Sequence, residues 1–165
     1  MTRGGSAHSY RSKLLPQLQT ADGEGGGEAG ASLGARLRAD LQLVRNAFFT
    51  APEDSSAWFY HRWVLAQLSP GGAAAAPEAE YAALVAEELT MVEELLELEP
   101  ECRWALAAAL YLRAQQPAPP GDESLGAQEA HAARVATLQR VDPMRAKYYK
   151  EASHAPHAPV VLHVQ

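Results

Sequence analysis

Ser56-Ala57-Trp58-Phe59-Tyr60-His61-Arg62-Trp63-Val64-Leu65-Ala66-Gln67-Leu68 repeats, without a gap, the pattern of Ser6-Ala7-His8-Ser9-Tyr10-Arg11-Ser12-Lys13-Leu14-Leu15-Pro16-Gln17-Leu18. Ser, Ala, Tyr, Leu, Gln and Leu coincide, and Leu14 stands opposite Val64. A third, weaker copy begins at Arg103-Trp104, where the tryptophan and a following apolar run survive. Acidic proline turns precede the later elements at Pro52-Glu53-Asp54, Pro100-Glu101 and Asp142-Pro143. Self-similarity over a few tens of residues marks a repeat array. Each unit reads as a leading helix, a proline turn and a second helix that carries aromatic residues. One such hairpin cannot bury its apolar face alone, so the units are expected to stack into an all-α array.

The intervening sequence supports helices. Alanine is abundant and breakers are clustered. Ala21 to Gly30 is glycine-rich and is expected to be a flexible linker that holds no helix. Ser69-Pro70-Gly71-Gly72 and Pro117 to Gly121 are further breaks. Candidate helices run from about Ser6 to Leu18, Ser32 to Phe49, Asp54 or Ser55 to Leu68, Pro77 to Leu98, Arg103 to Gln115 and Ser124 to Arg140, with a seventh from near Pro143 that ends before Pro156. Leu33, Leu37, Leu41, Val44 and Phe48 line one face of the second. The fourth carries two adjacent stripes, Ala82, Val85, Leu89, Val92 and Leu96 beside Tyr81, Leu84, Met91, Leu95 and Leu98, so it is expected to pack against two neighbours. Glu87, Glu88, Glu93, Glu94 and Glu97 are read as its solvated face.

Length and composition set limits. A chain of 165 residues, 47% apolar, has the size of one domain and enough apolar content for a core. A net charge of -6 argues against a nucleic-acid binder, which would present a basic face. No apolar run approaches the ~20 residues of a membrane span. Met1-Thr2-Arg3-Gly4-Gly5 leads into no apolar stretch, so no signal peptide is expected. With a single cysteine, Cys102, no internal disulfide can form, and a cytoplasmic location is expected.

No catalytic constellation is legible, and no catalytic, cofactor-binding or metal-binding residue is assigned. Cys102 lacks the two or three further ligands that a zinc site needs and reads as an incidental thiol. His154, His157 and His163 lie among Ala and Pro without helical metal-site spacing and read as a tail. Gly25-Gly26-Gly27 has neither the preceding strand nor the following Gly-Lys-Ser/Thr of a phosphate loop. The repeat residues Tyr10, Arg11, Trp58, Tyr60, His61, Arg62 and Trp104 are the candidates for function. They either pack successive hairpins, as their spacing favours, or touch a partner. A tryptophan near a helix start offers a large apolar area with one N–H that needs an acceptor.

The unit Ser-Ala-Trp-x-Tyr-His/Arg-x-x-Leu/Val-Leu resembles the repeat of protein prenyltransferase alpha subunits. Longer strings resemble the Rab geranylgeranyltransferase (type II) branch of that family. These are Asn46-Ala47-Phe48-Phe49-Thr50, Asp54 to Trp63, Glu97 to Glu101 with Trp104, and Val141-Asp142-Pro143-Met144-Arg145-Ala146. The resemblance implies a right-handed α-α superhelix of hairpins, at 31–152, wrapped around a beta subunit. It implies transfer of geranylgeranyl from geranylgeranyl diphosphate to C-terminal cysteines of Rab GTPases, which a Rab escort protein presents. Zinc and the isoprenoid diphosphate are then expected in the beta subunit, and this chain is expected to be noncatalytic. The alternative is a non-enzymatic α-solenoid protein-interaction module.

The departures from the pattern imply a partial copy. His8 and Ser9 stand where the first repeat would carry Trp and His, so 1–20 reads as a partial repeat helix, followed by the linker at 21–30. Earlier hairpins of the family are missing. Ser69 to Glu80 occupies the place where mammalian members insert an immunoglobulin-like domain. The tail, 153–165, ends in Val160-Val161-Leu162-His163-Val164, which resembles the first strand of a leucine-rich-repeat region. The chain is therefore expected to be a fragment.

Overall fold

The computed structural model describes residues 26–116 and 123–153, with side chains placed over 33–116 and 125–150. The predicted helix at Ser6–Leu18, Tyr10, Arg11 and the C-terminal histidines lie outside the described residues. Six α-helices are found there: α1 (Gly26–Thr50), α2 (Ser55–Leu68), α3 (Glu78–Leu98), α4 (Arg103–Arg113), α5 (Glu123–Val141) and α6 (Ala146–Ser153). A single 3-10 turn, Pro143–Arg145, leads into α6. No strand occurs among the described residues.

Local sequence explains most of the boundaries. The Asp54 carboxylate accepts a hydrogen bond from the Ser56 backbone N–H at 2.9 Å and so starts α2. Pro77 stands in extended conformation just before α3, where its missing N–H costs nothing. After α2 the chain doubles back. Ala74 and Ala76 donate their N–H groups to the Gln67 and Leu68 carbonyls at 3.0 Å each, so carbonyls that the helix end would orphan are satisfied. Gly71 takes a positive φ of 92°, and a Cβ on Gly72 would lie 2.3 Å from the Gln67 carbonyl oxygen. This turn therefore tolerates only glycine at both places.

The start of α1 corrects the sequence reading. A helix was expected from Ser32, with 21–30 as linker, but the helix already begins at Gly26. Glycine costs about 1 kcal/mol per helical position against alanine. Nucleation is the costly step of helix formation, however, and propagation adds a hydrogen bond with each residue. The C-terminal half of α1 is anchored by the buried residues Leu37, Leu41, Val44 and Phe48, so the nucleus exists whatever the glycines prefer.

The helices pair as three hairpins, α1–α2, α3–α4 and α5–α6. Leading helices α1 and α3 touch each other, as do second helices α2 and α4. The main core joins the first two hairpins. It includes Phe48, Trp58, Leu65 and Leu68 from the first, and Val85, Val92, Leu95, Trp104 and Leu112 from the second. A smaller core joins α4 to the third hairpin through Leu106, Leu110, Val135, Leu138 and Tyr149. Thus α4 is buried on nearly every side, and its alanines Ala105, Ala107 and Ala109 allow neighbours to approach closely.

The double stripe of α3 is narrower than its sequence suggests. Tyr81, Val85, Leu89, Val92 and Leu95 are buried, Leu84, Met91 and Leu96 are half-buried, and Ala82 and Leu98 are exposed. The proline turns are linked along the array. Glu53 of the first turn lies 4.0 Å from Arg103 of the second hairpin, and Glu101 of the second lies 2.7 Å from Arg140 of the third. Both pairs are exposed and contribute little to stability.

Neighbouring phenylalanines test the packing. Phe48 is fully buried and Phe49 is 45% exposed. Phe48→Ala is expected to cost about 3–5 kcal/mol in urea unfolding, and Phe49→Ala roughly a tenth of that.

Candidate functional site

The aromatic signature of α2 divides into packing groups and a surface. Trp58 stacks on Phe48 with ring centroids 3.7 Å apart and planes 10° apart. Its indole N–H donates to the Pro52 carbonyl at 2.8 Å, which ties the helix to its own turn. One helical turn later, His61 is 2% exposed and meets Phe48 edge-on at 5.3 Å. The Tyr60 hydroxyl donates to Asp40 of α1 at 2.6 Å, and its ring stacks on Trp63. Burial, then the neighbouring Asp40 carboxylate, push the Tyr60 hydroxyl well above its usual pKa, so it stays protonated as a donor.

His61 belongs to a buried charged cluster that joins three helices. Its Nε2 lies 2.9 Å from Glu88 Oε2 on α3. The other Glu88 oxygen accepts from Arg45 of α1, at 3.0 Å from Nε and 2.6 Å from Nη2. Glu88 is fully buried, whereas Arg45 keeps 21% of its side chain exposed. Burial alone would raise the Glu88 pKa. Hydrogen bonds and charge from His61 and then Arg45 outweigh it and hold the carboxyl below its usual value of 4.5. Glu88 is therefore ionised, and the His61 Nε2–H is the donor.

This arrangement overturns the reading of Glu88 as part of a solvated face. A signal was available: Glu88 fills the gap in the stripe Tyr81, Leu84, Met91 and Leu95, four residues after Leu84 and three before Met91. Glu93 is also engaged, receiving Arg113 of α4 at 3.2 Å and Arg134 of α5 at 2.8 Å. Glu87, Glu94 and Glu97 are exposed as expected.

Arg62 and Trp104 meet elsewhere, in a small cleft between α2 and α4. Trp58, Phe59, His61, Ala107, Ala108 and Tyr111 complete its lining. Its volume is about 20 Å³, room for one water-sized group. The Arg62 guanidinium carbon sits 4.2 Å over the Tyr111 ring, and Phe59 meets Trp104 edge-on at 5.4 Å. The Trp104 indole N–H is buried and has no hydrogen-bond partner. The five candidates in the described chain thus separate: Trp58, Tyr60 and His61 are bonded to backbone or carboxylate oxygens, while Arg62 meets the Tyr111 phenol rather than an acid and the Trp104 indole N–H is unused. Sequence reasoning missed Arg45, Asp40 and Tyr111, whose roles depend on helices distant in sequence.

Among the described residues no group of three or more His, Cys, Asp or Glu could hold a metal ion. Cys102 is buried, with its Sγ 3.6 Å from the Pro52 carbonyl oxygen. Burial pushes its thiol up in pKa, which disfavours the reactive thiolate.

Residues 37–68, the C-terminal half of α1 with all of α2, match the protein prenyltransferase alpha subunit repeat. Over 140 residues the chain is 30% identical to a geranylgeranyl transferase type-2 subunit alpha of Dictyostelium discoideum, covering 85% of this chain and 39% of that protein. The human protein of the same name is 49% identical over 65 residues, 39% of this chain and 11% of its own length. That of Schizosaccharomyces pombe is 35% identical over 72 residues, 41% of this chain and 21% of its own. The chain therefore spans less than half the length of these curated relatives.

Glu88→Gln tests the buried cluster. Removing one partner of a buried ion pair costs about 3–5 kcal/mol, and the lower end is expected because Arg45 reaches water. The folded-state pKa of Glu88 is depressed, so its contribution is complete above the unfolded value near 4.5 and is lost as pH falls through the folded value. Urea unfolding at pH 7, 5 and 3 should show the wild type losing its advantage over Glu88→Gln in the acid range. Parallel acid limbs would contradict the assignment.

Proposed function

We propose that this chain, which carries a protein prenyltransferase alpha subunit repeat, acts as alpha-subunit material of a Rab geranylgeranyltransferase. In this reading it is the noncatalytic member of a heterodimer. It scaffolds a beta subunit and helps bring escort protein and Rab GTPase to it, for geranylgeranyl transfer to C-terminal Rab cysteines in the cytoplasm. The observation that carries the reading is the agreement of the repeat match, over 37–68, with a hairpin whose signature residues hold the array together. The shared name of the relatives, type-2 geranylgeranyl transferase alpha subunits, supports the type.

The chemistry of the chain's own residues fits a positioning role. The described residues offer no metal-binding cluster, and Cys102 is buried with a raised pKa. In this reading zinc and geranylgeranyl diphosphate belong to the beta subunit. What the chain supplies is shape: three linked hairpins whose ion pairs and buried Glu88 set the angle between successive units. No helix among the described residues is long and apolar enough to cross a membrane.

Co-expression with a type-2 beta subunit tests this function. The expected result is co-elution as a one-to-one complex in size-exclusion chromatography. With escort protein, Rab and labelled geranylgeranyl diphosphate, transfer should then exceed that of the beta subunit alone. A helical, monodisperse chain that fails to co-elute would instead identify a free-standing α-solenoid interaction module.

A further inference from the structure

Arg62 differs from the other arginines around it. Arg38, Arg45, Arg113, Arg134, Arg140 and Arg145 each meet a carboxylate. Arg62 is half-buried on the cleft between α2 and α4, and no carboxylate among the described residues forms an ion pair with it. Its guanidinium lies over the Tyr111 ring, which restrains its plane and leaves N–H groups unspent. Tyr111 and Tyr148 are the phenols within electrostatic reach of it. The Tyr148 hydroxyl is buried without a hydrogen-bond partner, and so is the indole N–H of Trp104, which lines the same cleft. The buried acid held by neighbouring His61, Glu88, already has both oxygens engaged by Arg45 and His61.

We propose that this cleft is a docking point for one acidic side chain of the partner protein, whose carboxylate seats on Arg62 with the Trp104 indole N–H beside it. The Arg62 guanidinium fork and the orphan Trp104 indole N–H, with phenols rather than a carboxylate near Arg62, call for an anion with several lone pairs, which a carboxylate has. A guanidinium fork matches a carboxylate in geometry, and the charge-assisted pair is stronger than a neutral hydrogen bond. The volume selects the size. At about 20 Å³ the cleft is small, which suits a side-chain tip better than a ring or an isoprenoid. Burial without an acid lowers the pKa of Arg62, a cost that a seated carboxylate would remove.

The identity of the partner rests on the function proposed above, whereas the chemistry of the cleft does not, so two measurements separate them. In the first, the full chain is titrated with a type-2 beta subunit at low and high salt. Arg62→Met, which keeps the apolar stem, should weaken binding roughly tenfold or more and flatten the salt dependence, with Arg62→Lys intermediate. Unchanged affinity for Arg62→Met, with an unchanged thermal melt, overturns the proposal and leaves the heterodimer standing. In the second, the 15N-labelled chain is titrated with the capped tripeptide Ac-Gly-Glu-Gly-NH2 and with its Gln counterpart. Of the three tryptophan indole N–H signals, that of Trp104 should move saturably with the Glu peptide alone, and not in Arg62→Met. If no complex with a beta subunit forms, the function fails, and this titration alone decides the site. Equal shifts with both peptides, or none, overturn it.

Discussion

A fully buried carboxylate, Glu88, holds the first two hairpins to each other. An isolated charge in such a place would be too costly to keep, so both of its oxygens must be engaged. Arg45 comes from α1, His61 from α2 and Glu88 itself from α3. Apolar packing could join the same helices but would tolerate sliding by a residue or more. Two arginine N–H groups on one oxygen and a histidine on the other tolerate far less. The register between units, and with it the placement of the α2–α4 cleft, depends on this cluster.

The rest of the array repeats one economy at different strengths. The turn before α2 gives its Pro52 carbonyl to Trp58 and lies against Cys102 of the next hairpin. Glu93 couples α3 to α4 and α5, and Asp142 in the third turn accepts from Arg145 and Tyr149. Between these polar links the apolar stripes do most of the stabilising, and α4 takes part in both cores. A helix shared by two cores makes each hairpin's stability depend on its neighbours, as in other repeat proteins. A hairpin array in which the units brace one another suits a subunit that holds a partner in place.

Legibility followed the range of the interaction. The start of α2 could be read because Asp54 caps it two residues away, and α3 because Pro77 immediately precedes it. The repeat of Ser-Ala-Trp-x-Tyr-His gave the hairpin plan and five candidate residues within the described chain. Three of those proved to be fastened internally, and the two with donors to spare could be told apart only when α4 was laid against α2. The early start of α1 was missed because local glycine preference was overruled by anchoring further along the same helix. Glu88 was assigned to solvent because residue type was weighed above its slot in the stripe.

By itself, then, the amino-acid sequence determined the helices, their turns and the hairpin repeat, since caps, prolines and apolar periodicity act within a few residues. Only the tertiary structure decided which polar side chains are spent. Arg45, Glu88 and His61 are far apart in the chain, and packing brings the arginine and the imidazole onto the two oxygens of the buried carboxylate. Arg62, one residue from His61, is left facing aromatic rings, since α4, which lines the cleft with it, carries no acid. Neighbours in sequence diverge in this way because a helix turns successive side chains about 100° apart, toward different partners.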